Sequence, residues 1–115
     1  MFLNNWSNLA EMAEDFNLEE KALNGVNVLL ASYGTQDYEG SAFVLFERSG
    51  KLYEVNGDHC SCYGLEGQWE PEETSVAALL HRLDEGCLGA SAYDDNPFAE
   101  ELRQVLAALP AYLKA

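Results

Sequence analysis

The chain has 115 residues, 48% of them hydrophobic, which predicts a single folded domain over residues 1–115 and leaves no room for a second. Twenty acidic residues against six basic ones give a formal net charge of -14. This charge disfavours direct binding to nucleic acid or to an anionic membrane, because like charges repel, and it favours a protein partner with a basic surface. The simpler alternative is that acidity only keeps a small protein in solution.

The N-terminal segment, Met1 to Phe16, has neither a basic region nor an unbroken apolar stretch, as a secretory signal would have. No other run approaches the roughly 20 apolar residues that span a bilayer. Three cysteines, an odd number, are typical of free thiols in a reducing compartment. We therefore expect a cytoplasmic protein that does not enter a membrane.

The first predicted element is a helix over residues 7–16, where apolar residues recur at helical spacing and Ser7 is a plausible N-cap. Asn17 could end this helix, and residues 18–23 could form one further helical turn. The dipeptide Asn24-Gly25 then marks a change in the character of the chain.

Three strands are predicted next, over residues 26–33, 41–48 and 51–57. The last two flank Ser49-Gly50, and a two-residue loop of this kind between alternating runs predicts a hairpin of fixed register. The three strands together predict a small antiparallel sheet.

Pairing outward from the turn assigns each side chain of the hairpin to a face of the sheet. The core face carries the pairs Phe46 with Tyr53, Val44 with Val55 and Ala42 with Gly57. The opposite face carries the pairs Glu47 with Leu52, Leu45 with Glu54 and Phe43 with Asn56. This second face, with Phe43, Leu45 and Leu52, is either covered by a helix or presented to a partner. We expect a helix of the same chain to cover it.

Two further helices are predicted towards the C-terminus. Residues 74–85 carry apolar residues at i, i+3, i+4 and i+7, and Gly86 follows them. Residues 96–109 carry a continuous apolar stripe, with Pro97 at the first helical position. The sequence thus predicts an α+β fold in which the sheet packs against N-terminal and C-terminal helices.

The run His59-Cys60-Ser61-Cys62 is a candidate metal site. In an extended chain Cys60 and Cys62 point the same way, and with His59 or Asp58 and a distant Cys87 or His81 they could bind a zinc ion. A second closely spaced ligand pair, which most structural zinc sites have, is missing from the sequence. Buried structural cysteines are the simpler interpretation of these residues.

Catalysis is not indicated by any motif. Thiol chemistry would need a cysteine activated by His59 or His81, and no family signature surrounds either. Adjacent carboxylates occur mostly where helices start or end, where solvated acids are common. There is no glycine loop for phosphate, no Gly-x-Ser-x-Gly and no His-Glu-x-x-His. We therefore predict no catalytic residue, with a metal- or thiol-dependent protein as the alternative to a binding protein.

Binding is the activity that the composition favours. Aromatic anchors ringed by acidic residues are the material of a protein-interaction surface. A dense acidic surface can also enter a groove built for phosphates, since duplex DNA carries one charge per roughly 1.7 Å of axis. The residues predicted to contact a partner are Tyr38, Glu66, Trp69, Glu70, Glu72 and Glu73.

A resemblance adds a biological setting. The stretches Tyr38 to Phe46 (YEGSAFVLF), Gly50 to Gly57 (GKLYEVNG) and His59 to Glu73 (HCSCYGLEGQWEPEE) resemble a family of small acidic proteins of tailed phages and prophages. The family has no settled biochemical activity, so the resemblance carries over no site residues. It implies action in the cytoplasm of a bacterial host, through binding to a host enzyme or defence complex.

Overall fold

The computed structural model describes residues 1–4, 6–36, 39–59, 65, 67–84, 99–110 and 113. Within these ranges the chain forms an α+β fold with one five-stranded mixed sheet. The strands are β1 (Phe2–Asn4), β2 (Asn27–Gln36), β3 (Glu39–Arg48), β4 (Lys51–His59) and β5 (Glu72–Thr74). The helices are α1 (Leu9–Phe16), α2 (Val76–Asp84) and α3 (Ala99–Ala108), with a 3-10 helix at Glu20–Leu23.

The hairpin of β3 and β4 is the centre of the sheet. Ser49 and Gly50 both have positive φ, 54° and 78°, which defines the type I′ turn that matches the twist of the two strands. Arg48 pairs with Lys51, and the register continues without a shift through Ala42 and Gly57. The predicted hairpin and its register are confirmed.

A bulge explains two adjacent apolar residues in β2. Val28 pairs with Phe46, while Leu30 pairs with Leu45, so Leu29 is an extra residue in the antiparallel ladder. The extra residue shifts the alternation, so that Leu29 and Leu30 both contact the same side of the sheet. β2 extends to Gln36, three residues past its predicted end at residue 33.

The prediction of a three-stranded antiparallel sheet is wrong in detail, because a short strand lies at each edge. β1 pairs with β2 in parallel, and β5 pairs with β4 in antiparallel, giving the order β1-β2-β3-β4-β5. Each edge strand has three residues, too few for an alternating pattern to stand out in the sequence. Of the residues in β5, only Thr74 fell within a predicted element, the helix over residues 74–85.

The first helix begins later than predicted. Asn8 is the N-cap of α1, since its Oδ1 accepts the backbone N–H of Glu11 at 2.9 Å. The Glu11 carboxylate in turn accepts the N–H of Ser7 at 2.7 Å, so Ser7 lies outside the helix. Asn17 ends it in the left-handed conformation, with φ 56°, as the sequence indicates.

The second and third helices also differ in their bounds from the predictions. α2 begins at Val76 rather than at residue 74, because Thr74 pairs with Leu52 in the sheet and the Ser75 hydroxyl accepts the N–H of Ala78 at 3.1 Å. α3 ends at Ala108, before Pro110, and the predicted helix start at residues 96–98 lies outside the described residues.

The sheet separates two hydrophobic cores, and helices cover both of its faces. On one face, α1 packs Met12 and Phe16 against Val44, Phe46 and their neighbours, together with Trp6 and Leu65. On the other, α2 and α3 cover the face that carries Phe43, Leu45 and Leu52. Helices of the same chain therefore cover the mixed face of the hairpin, as predicted.

Candidate functional site

The segment that leads into β5 is held by Trp69. Its indole ring stacks on Phe46 at 5.7 Å and 12°, and meets the edge of Phe16 at 5.2 Å. Gly67 turns the chain just before it with φ 81°, a conformation that favours glycine. Trp69 is half-buried in the core on the α1 side, so it positions the acidic residues that follow it.

The acidic edge, defined as Glu70, Glu72 and Glu73, lies at the outermost strand of the described sheet: Glu72 and Glu73 belong to β5, and Glu70 lies two residues before it. Glu73 is the register partner of Tyr53, and Glu72 is the partner of Glu54. Directly paired residues share a face, so the Glu73 carboxylate lies on the α1 side and the Glu72 carboxylate on the α2 side. All three residues are exposed, and within the described ranges none forms an ion pair. Three of the predicted partner-binding residues thus lie together, in or just before an edge strand that the sequence did not predict.

Most of the described cations are already paired with carboxylates. Lys21 lies 3.3 Å from Glu19, Arg103 lies 2.9 Å from Asp84, and Arg82 lies 2.6 Å from Glu54. Arg48 and Lys51, which face each other beside the hairpin turn, form no ion pair with any described residue. Among the described residues, little unpaired positive charge is therefore available to neutralise the acidic edge.

A carboxylate that sequence reasoning did not select is buried beside this edge. Glu54 is 4% exposed, and Nη1 of Arg82 donates to both of its oxygens, at 2.6 and 2.8 Å. The Asn56 amide donates a further hydrogen bond to Oε1 at 3.1 Å. These three donor contacts satisfy the carboxylate in a site that α2 shields from water, and they attach α2 to β4.

The sequence did contain a signal for this pair. Alternation along β4 places Glu54 on the same face as Leu52, and a helix is predicted to cover that face. A carboxylate under a helix needs a partner, and Arg82 is the only Lys or Arg in the predicted helix 74–85. Those two inferences together would have selected Glu54 and Arg82.

A shallow depression of about 180 Å³ lies beside the hairpin turn. Its lining consists of Phe46, Arg48, Ser49, Tyr53 and Pro71. The rings of Phe46 and Tyr53 stack at 5.4 Å. The depression is smaller than the roughly 300–1,000 Å³ typical of small-molecule sites.

The other predicted site residues lie largely outside the described ranges. Tyr38, Glu66, Cys60, Cys62 and Cys87 are all outside them, and His59 is the last residue of β4. Among the residues described, no group of three His, Cys, Asp or Glu side chains is arranged to hold a metal ion. The zinc hypothesis for His59, Cys60, Cys62 and Cys87 therefore stays a prediction.

Two further observations concern membrane spans and similarity to known proteins. Of the helices described, none is long and apolar enough to cross a membrane. Comparison with known proteins finds no matching family model, no matching curated protein and no matching solved structure. The function must therefore be argued from the geometry and charge of this chain.

Proposed function

We propose that the protein acts by binding a protein partner with a basic surface, and that the acidic edge forms part of the contact. The observation that carries this proposal is that Glu70, Glu72 and Glu73 are exposed and form no ion pair with any described residue, on a chain of net charge -14. Opposite charge accelerates the encounter of two proteins and suppresses wrong partners.

The class of partner follows from what a basic surface ordinarily binds. Proteins that hold nucleic acid present Lys and Arg to phosphates, and a chain with this charge competes for the same groups. We propose that the protein inhibits a nucleic-acid-binding or defence complex of a bacterial host by imitating the charge of nucleic acid. The resemblance to small acidic phage proteins motivates the choice of a bacterial host and its cytoplasm.

The test uses the full chain immobilised as bait for a bacterial lysate, with bound proteins quantified by mass spectrometry. The edge variant is Glu70→Gln/Glu72→Gln/Glu73→Gln. Its matched control is Glu14→Gln/Glu100→Gln/Glu101→Gln, which removes the same charge from α1 and α3. We expect the original chain and the control to enrich basic nucleic-acid-binding proteins, and the edge variant to lose them.

A purified partner from that experiment is then tested for displacement from duplex DNA. Displacement should weaken as salt rises, because screening shortens the range of the attraction to about 8 Å at physiological ionic strength. If no basic protein is enriched at low or moderate salt, the proposed function is wrong. If the edge variant and the control lose binding equally, general charge rather than the acidic edge is responsible.

A further inference from the structure

The outer side of β5 is an edge of the described sheet. β5 is the last strand in the order, and the structure describes no strand beyond it. Backbone N–H and C=O groups of an edge strand are a template on which another strand can pair. Whether a strand can pair there depends on which backbone N–H and C=O groups of β5 point outward and on the side chains beside them.

The hairpin turn determines which backbone groups of β5 point outward. A two-residue turn makes Arg48 and Lys51 a hydrogen-bonded pair, and such pairs recur at every second residue. Odd-numbered residues of β4 therefore bond to β3, which leaves Leu52 and Glu54 to bond to β5. Their partners are Thr74 and Glu72. Glu73 lies between these two, so its N–H and C=O point away from the sheet.

The side chains of β5 determine which strand fits this edge. A strand that pairs with Glu73 would meet the Glu73 carboxylate on the α1 side and the Glu72 carboxylate on the α2 side. A second copy of this chain that paired through its own β5 would bring the same acids to the contact, and like charges opposite each other destabilise a pair of strands. A strand with adjacent Lys or Arg residues would place a cation beside each carboxylate.

We infer that β5 is a docking edge for an extended, Lys/Arg-rich segment of the protein partner. The segment adds a sixth strand by bonding to the N–H and C=O of Glu73, while its basic side chains pair with Glu72 and Glu73. Pro71 has no amide hydrogen, so the contact is confined to the middle of β5 and is weak and transient. This inference rests on the proposed function and specifies the shape of the partner.

The experiment separates backbone pairing from charge attraction. The probes are a short extended peptide of Lys, Val and Thr with two adjacent central lysines, and the same peptide N-methylated at its central residues. N-methylation keeps every charge but removes the hydrogen-bond donors. Binding to the full chain is measured by calorimetry, and the amide signal of Glu73 is followed by NMR.

We expect the N-methylated peptide to bind about tenfold more weakly, because it cannot donate to the Glu73 C=O and its methyl groups block the close approach that the Glu73 N–H needs. Only the unmethylated peptide should shift the Glu73 amide signal. The variant Glu72→Gln/Glu73→Gln should bind each peptide more weakly than the original chain does, with a similar loss of affinity for the two peptides. Equal binding of the two peptides would overturn strand pairing while leaving the proposed function standing. If the original chain bound neither peptide and no basic protein, both the strand pairing and the proposed function would be overturned.

Discussion

At the scale of single residues, Glu54 and Arg82 are the most informative pair. The Glu54 carboxylate is buried under α2, whereas the Arg82 side chain is 36% exposed and partly reached by water. Removing Arg82 therefore has a different consequence from removing Glu54. Without Arg82, the carboxylate stays buried with only the Asn56 amide as a described donor, while without Glu54 the guanidinium can turn towards solvent.

We predict that Arg82→Met lowers the free energy of unfolding by about 3 kcal/mol, the lower end of the range for a broken buried pair because Arg82 is partly solvated. Glu54→Gln should cost about 1 kcal/mol, since the amide can still accept one hydrogen bond from Arg82. Urea unfolding followed by far-ultraviolet circular dichroism measures both values.

The control for this prediction is Arg103→Met. Arg103 contacts Asp84 at 2.9 Å, but both side chains are exposed, so its loss should cost less than about 1 kcal/mol. Equal effects of Arg82→Met and Arg103→Met would show that burial of Glu54 does not determine the stability of the pair.

At the scale of secondary-structure elements, the hairpin turn contains a residue whose replacement should stabilise the fold. Ser49 adopts φ 54° and Gly50 adopts φ 78°, a conformation that glycine and asparagine accept more easily than serine does. We predict that Ser49→Asn raises the free energy of unfolding by about 0.5 kcal/mol, because Asn-Gly is the preferred type I′ pair. Thermal and urea unfolding measure the change.

Two variants at the same turn act as controls. Ser49→Ala should give no stabilisation, since alanine has no polar side chain to favour the left-handed conformation. Gly50→Ala should destabilise by about 1–2 kcal/mol, even though no atom lies within 4 Å of the added Cβ, because the backbone conformation itself is unfavourable. A destabilising Ser49→Asn would contradict the assignment of the turn.

The sequence was most informative where the signal is local. The Ser49-Gly50 turn and the alternation around it determine which residues of β3 and β4 pair, so register and faces could be predicted before the structure. The edge strands could not, because Phe2–Asn4 and Glu72–Thr74 owe their conformation to pairing with distant residues. Strand formation in such short segments is a property of the sheet rather than of their sequence.

The candidate site shows the same limit. Three acidic residues could be selected from composition, but the placement of Glu72 and Glu73 on opposite faces of an edge strand depends on pairing with β4, earlier in the chain. Trp69 was predicted as an anchor for a partner, and it also packs against Phe16 and Phe46 in the core. Its part in partner binding stays a prediction, as do those of Tyr38 and Glu66.

At the scale of the whole molecule, net charge affects stability as well as binding. A chain of charge -14 repels itself in its compact state, and salt screens that repulsion. We predict that raising sodium chloride from about 20 mM to about 200 mM raises the midpoint of thermal unfolding, because the Debye length falls from about 20 Å to about 7 Å. Differential scanning calorimetry measures the shift.

The control is Glu14→Lys/Glu100→Lys, which changes two exposed carboxylates on α1 and α3 and lowers the net negative charge by four. Its midpoint should respond less to salt than that of the original chain. A midpoint that falls as salt rises would mean that favourable ion pairs outweigh the self-repulsion.

The arrangement of aromatic rings has a practical consequence for measurement. The chain has two tryptophans, and both pack against Phe16: Trp6 at 5.8 Å and Trp69 at 5.2 Å. The described residues of the core beneath α2 and α3 include no tryptophan and no tyrosine. Tryptophan fluorescence therefore reports how α1 packs on the sheet, and neither tryptophan lies in the core beneath α2 and α3. Agreement between fluorescence and circular dichroism would then be direct evidence that the two cores unfold together.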